Sequence, residues 1–151
     1  SAASDVYQRQ TLHCALGNFH SIEVEDLTKH KMDSEQMVIN KEACEIVNKT
    51  KLEGRHVCAV GTSVLKATET AIGTDKMLKE YEGWTNKFIF PPYECGLADT
   101  MIANFYQSMS PLLMATAAFG GYDLVMEAYQ KAVDNGYMFG CYGDAMLILN
   151  D

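Results

Sequence analysis

Residues 56–71 read HVCAVGTSVLKATETA, and the fold class turns on them. His56 to Val60 form a short apolar run of strand length, Gly61-Thr62-Ser63 make a glycine turn, and Lys66 to Ala71 continue at helical spacing. A strand that leads through a glycine into a helix N-terminus is the recurring joint of α/β proteins. Outward on the N-terminal side, Met37-Val38-Ile39 suits a short strand. Asn40 then suits an N-cap for a helix that carries Ala43, Ile46, Val47 and Leu52 at helical spacing until Gly54 stops it. On the C-terminal side, Lys87-Phe88-Ile89-Phe90 suits a strand ended by Pro91-Pro92. Ser110-Pro111 opens a helix, because Pro is tolerated where the first amide has no partner anyway. Asp123 is expected to cap another, which presents Val125, Met126, Tyr129 and Val133 on one face and ends at Asn135-Gly136. Ala145 to Leu149 suits a buried strand. The expectation is an α/β layered domain with a mostly parallel sheet flanked by helices.

A chain of 151 residues, 48% apolar and 21% charged, fits one compact globular domain. No apolar run reaches the roughly eighteen residues that a membrane span needs. The chain does not begin with Met and shows no signal-peptide pattern, so it reads as a piece of a longer protein. Residues 1–10 lack periodicity and are expected to be linker or non-native sequence; residues 11–151 carry the organised domain. The five cysteines are odd in number and widely spaced, with no CxxC, which argues against a disulfide framework or a cysteine zinc site and fits a reducing cytoplasm. Twelve basic against twenty acidic residues leave a net charge of −8, which repels nucleic acid in bulk, so any RNA contact needs a local basic patch.

Four segments hold residue types that carry chemistry. Gly61-Thr62-Ser63 places unpaired amides and a positive dipole end where an anion or carboxylate could sit, although a hydroxyl-capped turn explains the same residues. His30-Lys31-Met32-Asp33-Ser34-Glu35 offers a His and a Glu five residues apart as an acid–base pair, with Asp33 near enough to orient the imidazole; the plainer reading is a solvated loop. A metal site built from His13, His20, His30 and Glu35 matches no standard ligand spacing, and no metal is expected. Asn104, flanked by Ala103 and Phe105, could read a base edge or ribose, or close a turn. In Gly140-Cys141-Tyr142-Gly143-Asp144, Tyr142 gives a stacking face and Asp144 a hydrogen-bond acceptor, and the same pattern serves as a structural loop.

Together these segments, in their order, resemble the S-adenosylmethionine:tRNA ribosyltransferase-isomerase family of queuosine biosynthesis, from Thr11 to Leu149. Leu12, His13, Gly17 and Phe19 match the family's LHVGAGTF. His30, Met32 and Glu35 match its HxMHxE, and Ala59 to Thr62 its AVGT, followed by Glu69. Asp99, Asn104, Phe105, Ser110 and Leu112 match its VDALVTNFHLPxSTLLM block, and AFGGY and YGDAM stand unaltered at Ala118–Tyr122 and Tyr142–Met146. The resemblance implies the C-terminal part of the family's α/β domain. Its reaction transfers and isomerises the ribosyl group of S-adenosylmethionine, used as co-substrate, onto 7-aminomethyl-7-deazaguanine at the wobble position of tRNA, and releases adenine and methionine. It implies His30 and Glu35 as proton-transfer groups, and His13, Gly17, Gly61, Thr62, Lys66, Asn104, Tyr142 and Asp144 as substrate-binding residues. It also implies a cytoplasmic protein with no membrane partner, monomeric in its full-length form.

The departures fall on polar positions: Ala15 and Asn18 replace Gly and Thr, Asp33 stands where the family has its second His, and Lys66 replaces an Arg. Glu23 falls where a basic residue is common, and Ala103, Tyr106, Gln107, Ser108 and Pro111 alter TNFHLPxST. They motivate a rival reading, a non-catalytic domain that binds a nucleotide, RNA or a partner protein on the same scaffold.

Overall fold

A computed structural model supplies the structure, which describes residues 11–14 and 16–150. The expectation for residues 1–10 lies outside the described residues. The strands are β1 (Thr11–Leu12), β2 (Glu35–Ile39), β3 (Cys58–Val60), β4 (Tyr81–Thr85), β5 (Thr100–Asn104) and β6 (Ala145–Leu149). The α-helices are α1 (Lys41–Leu52), α2 (Thr62–Ala71), α3 (Pro111–Gly120) and α4 (Tyr122–Asp134), and a 3-10 helix covers Leu16–Phe19. They build two three-stranded sheets, ordered β1-β2-β4 and β3-β5-β6.

The α/β class stands, but the mostly parallel sheet does not. Only β3 and β5 run parallel; β1-β2, β2-β4 and β5-β6 are antiparallel. The cause is the connection between β5 and β6. One helix returns a chain to start a parallel strand. Here α3 and α4 follow each other across Gly121 alone, and the second helix reverses the direction once more. The strand expected at Lys87–Phe90 is a second correction: the ladder lies a few residues earlier, where Tyr81–Thr85 pairs with Ile39–Glu35. The Lys87–Phe90 run packs instead, with Ile89 in the core and Phe88 stacked on Phe90 at 4.9 Å between centroids. Nor is β6 a buried strand, since only Ile148 is in the core while Leu147 and Leu149 are 59% and 66% exposed.

Local capping follows the sequence. The Asn40 side chain accepts from the Ala43 amide at 2.8 Å, and Ser110 Oγ accepts from the Leu113 amide at 3.1 Å with Pro111 in the first turn of α3. Asp123 is not a cap: α4 starts at Tyr122 behind Gly121, and Asp123 sits in the first turn, where its charge suits the helix dipole. Its buried face is Val125, Tyr129 and Ala132, with Val133 turned outward. No helix among the described residues is long and apolar enough to cross a membrane.

Two apolar clusters make the core. One joins Leu65, Met101, Phe105, Leu113, Phe119 and Ile148 between the β3-β5-β6 sheet and the helices on one side of it. The other joins Met37, Ile39, Ala43, Ala67, Leu78 and Leu97 beneath the first sheet and α1. Helix α2 contributes to both, Leu65 to one and Ala67 and Ala71 to the other, so it is the element that fuses the two halves.

Tyr129 lies in the first cluster, 5.2 Å from Phe105 between ring centroids, and its hydroxyl accepts from the Tyr106 amide at 2.9 Å. Burial pushes the Tyr129 phenol up to about 12. Folding therefore favours the neutral phenol; this stabilisation is complete below the unfolded value near 10 and is lost as pH rises through the folded one. Urea unfolding is expected to show stability falling between pH 10 and 12, with a shallower fall in Tyr129→Phe; parallel curves would refute the assignment.

Candidate functional site

The joint between β3 and α2 organises the site. Gly61 sits at φ +95°, a conformation that side-chain-bearing residues rarely adopt, and its amide donates to the Ile102 carbonyl at 2.8 Å. The chain then turns directly into α2, and Gly61 as the N-cap offers no side chain to the helix's first amides. The N-terminal turn of α3, at Pro111 and Leu112, faces the same narrow inner cleft, together with Asn18, Thr62, Lys66 and Lys87. Its free volume is about 20 Å³, little more than one water requires.

A buried ion pair stands at its floor. Glu35, which opens β2, is 2% exposed and Lys66, in the second turn of α2, is 6% exposed. Lys66 Nζ donates to Glu35 Oε2, and Asn18 Nδ2 donates to Glu35 Oε1 at 2.7 Å. Lys87 Nζ, on the cleft wall, donates to Tyr93 Oη at 3.3 Å, and Tyr93 donates to Glu69 Oε2 at 3.0 Å. Burial, reinforced by the Glu69 carboxylate, holds the Tyr93 phenol well above its usual range, so it stays neutral. Glu69 also accepts from the Gly96 and Leu97 amides at 2.9 and 3.2 Å, which pins the loop behind Lys87 to α2.

A second, outer cleft of about 550 Å³ is lined by Gly17, His20, Lys29, His30, Lys31 and Asp33, among others. A Cβ on Gly17 would lie 2.5 Å from Asp33 Oδ2 and 2.8 Å from Asp33 Cβ, so the close approach of these segments requires glycine. Gly17 and Asp33 face the outer cleft while their neighbours Asn18 and Met32 face the inner one, so this stretch of chain forms the wall between them. The His30 ring packs 4.8 Å from the Phe88 ring, and its buried Nε2 has no hydrogen-bond partner among the described residues.

Six of the expected residues thus meet here: Gly17 and His30 on the outer cleft, Gly61, Thr62 and Lys66 around the inner one, and Glu35 beneath Lys66. Four do not. His13 is exposed just past β1, and its backbone amide donates to the Gln36 carbonyl. Asn104 Nδ2 donates to the Gly143 and Asp144 carbonyls at 3.4 and 3.3 Å, and Asp144 Oδ2 accepts from the Met138 amide at 2.8 Å. These bonds shape the 137–144 loop, from whose tip Tyr142 projects, fully exposed. Asn18 and Lys87 were not marked as site residues by the sequence. Asn18 stood in a recognised segment as a departure, and the Lys in an apolar KFIF run was the one available signal for Lys87. Among the described residues, no group of three His, Cys, Asp or Glu side chains is placed to hold a metal ion.

A sequence model described as queuosine biosynthesis protein matches residues 4–148. Proteins named S-adenosylmethionine:tRNA ribosyltransferase-isomerase from Phocaeicola vulgatus and Parabacteroides distasonis are 63% and 65% identical over 140 and 139 residues, covering 93% and 92% of this chain and 40% of each relative. A crystal structure of S-adenosylmethionine tRNA ribosyltransferase from Thermotoga maritima superposes with a TM-score of 0.71 at 43% identity, over 76% of this chain and 40% of that one. The chain spans two fifths of the length of these curated relatives.

Removing one partner of a buried ion pair strands the other charge, at a cost of about 3–5 kcal/mol. Glu35→Gln and Lys66→Met are each expected to destabilise on that scale in urea unfolding, and the double variant by clearly less than their sum. Additive losses would mean the two groups do not interact.

Proposed function

The chain belongs to the queuosine biosynthesis protein family, and on that premise we propose that it is part of the α/β domain that binds S-adenosylmethionine and supports transfer and isomerisation of its ribosyl group onto 7-aminomethyl-7-deazaguanine in tRNA, giving epoxyqueuosine. The observation that carries this reading is the convergence of two helix N-termini and Lys87 on a narrow cleft, beside a wider cleft that reaches His30. The methionine carboxylate of the donor suits the inner cleft, where the Thr62 and Ser63 amides at the start of α2 and the Lys87 ammonium offer donors. The ribose and adenine then extend toward the outer cleft.

In this reaction the acceptor amine attacks a ribose carbon, a ribose proton is removed, and adenine and methionine depart. His30 is the group for the proton, because its Nε2 has no hydrogen-bond partner among the described residues and imidazole is a common general base. Glu35 acts at one remove. Held by Lys66 and Asn18, it fixes the wall of the cleft rather than exchanging protons. Tyr142, fully exposed on its loop, offers a stacking face for a base of the tRNA. Lys29 and Lys31 line the outer cleft beside Glu23 and Asp33, so it offers two ammonium donors for phosphate without a net positive charge. The five free cysteines fit a reducing cytoplasm, and the full-length protein is taken to act as a monomer.

The test uses a chimera in which this chain replaces the matching residues of the Phocaeicola vulgatus relative, assayed for adenine release with tRNA bearing the deazaguanine. His30→Ala is expected to lower kcat by about 10²–10⁴-fold with a near-constant KM for S-adenosylmethionine. Lys87→Ala is expected to weaken S-adenosylmethionine binding about tenfold, roughly 1.4 kcal/mol. Unchanged turnover in the His30 variant would remove it from the chemistry, and unchanged affinity in the Lys87 variant would remove the donor carboxylate from the inner cleft.

A further inference from the structure

The β3-β5-β6 sheet is packed on one face and bare on the other. Ala59, Met101, Ala103 and Ile148 point into the core, where α2, α3 and α4 cover them. The alternate residues point away from it. Register sets Val60, Ile102 and Leu147 side by side in one row and Cys58, Thr100 and Leu149 in the next. Val60, Leu147 and Leu149 are 61%, 59% and 66% exposed, and none of the six side chains carries a charge. A strand with one wet face alternates apolar and polar residues, whereas Ala145–Leu149 reads AMLIL without a polar position, the pattern of a strand covered on both faces. Both outer strands, β3 and β6, also leave an edge open, and β6 has neither Pro nor charge to protect it.

We propose that this face is the docking surface for the rest of the family's polypeptide, the three fifths of each relative that lie outside the match. In the Thermotoga maritima structure the matching fold makes up 40% of the chain, which leaves three fifths of a chain to supply a covering layer. The sheet face sets its exposed apolar side chains in two adjacent rows, which suits an apolar partner. It is uncharged, which disfavours RNA, and continuous, which suits a second layer of sheet or helix.

Cys58 lies on the face and reports on it directly. In the isolated chain, site-resolved labelling with a neutral thiol reagent is expected to modify Cys58 readily, though more slowly than exposed Cys141, because partial burial pushes the Cys58 thiol up. In the chimera with the remainder of the Phocaeicola vulgatus relative, Cys58 is expected to react at least tenfold more slowly. Equal Cys58 rates in the folded chimera and the isolated chain would overturn the proposal. Protection already present in the isolated chain, concentration-dependent and accompanied by a dimer in sedimentation, would assign the face to a second copy and overturn it too. A further arm does not need the chimera: Leu147→Lys in the isolated chain is expected to leave the melting temperature within about 3 °C of the parent, as an open surface site does. A fall on the scale of a core substitution would show that the face is already covered within the chain and would sink the idea.

Discussion

Two opposite charges buried at the junction of two sheets are the constraint from which the site follows. Glu35 begins β2 in one sheet, and Lys66 belongs to the helix that follows β3 in the other, so their pairing ties the sheets together. Neither charge tolerates burial alone, since desolvating a single ion costs several kcal/mol. Asn18 completes the arrangement by donating to the second carboxylate oxygen, and so brings the 3-10 helix at Leu16–Phe19 against the ion pair. Apolar packing would join the two halves in many ways. The pair and the amide specify one, and that one places the inner cleft between the 3-10 helix and the start of α2.

The same helix holds a second buried acid. Glu69, one turn beyond Lys66, takes two backbone amides and the Tyr93 hydroxyl, so the segment that carries Lys87 is anchored to α2 as well. With Leu65 in one apolar cluster and Ala67 and Ala71 in the other, α2 has little freedom to shift without disturbing both cores. The cleft walls therefore refer back to one rigid element, which is what a preorganised binding site needs.

Features set by neighbours in sequence were legible. Asn40 and Ser110-Pro111 announce their helices because a cap acts over three residues, and the passage from Val60 through Gly61 into α2 is readable for the same reason. Features set across the fold were not. The direction of β6 depends on two helices reversing at a single glycine. Tyr81–Thr85, with only alternate residues turned inward and a glycine at its centre, carries little strand signal until β2 pairs with it. Glu35 read as the end of a polar loop, and its burial depends on a lysine 31 residues away. Asn18 likewise gains its meaning from a partner 17 residues on, and Asn104 and Asp144, which had the look of ligand contacts, turn their polar atoms to the backbone of their own loop.

The mixed direction of the sheet leaves the binding logic intact, because that logic needs only one parallel pair. In open α/β sheets, ligands settle beyond the carboxyl ends of parallel strands, where the following helices start. Here β3 and β5 are that pair, and each leads into a helix, α2 at once and α3 after the loop 105–110. Both helix N-termini line the inner cleft. The antiparallel β6 extends the sheet sideways and lines neither cleft; it gives Ile148 and the partly buried Met146 to the core and an apolar outer face. The chain thus separates its two tasks by direction: the strand ends carry the polar chemistry, and the flank of the sheet carries an uncharged apolar surface.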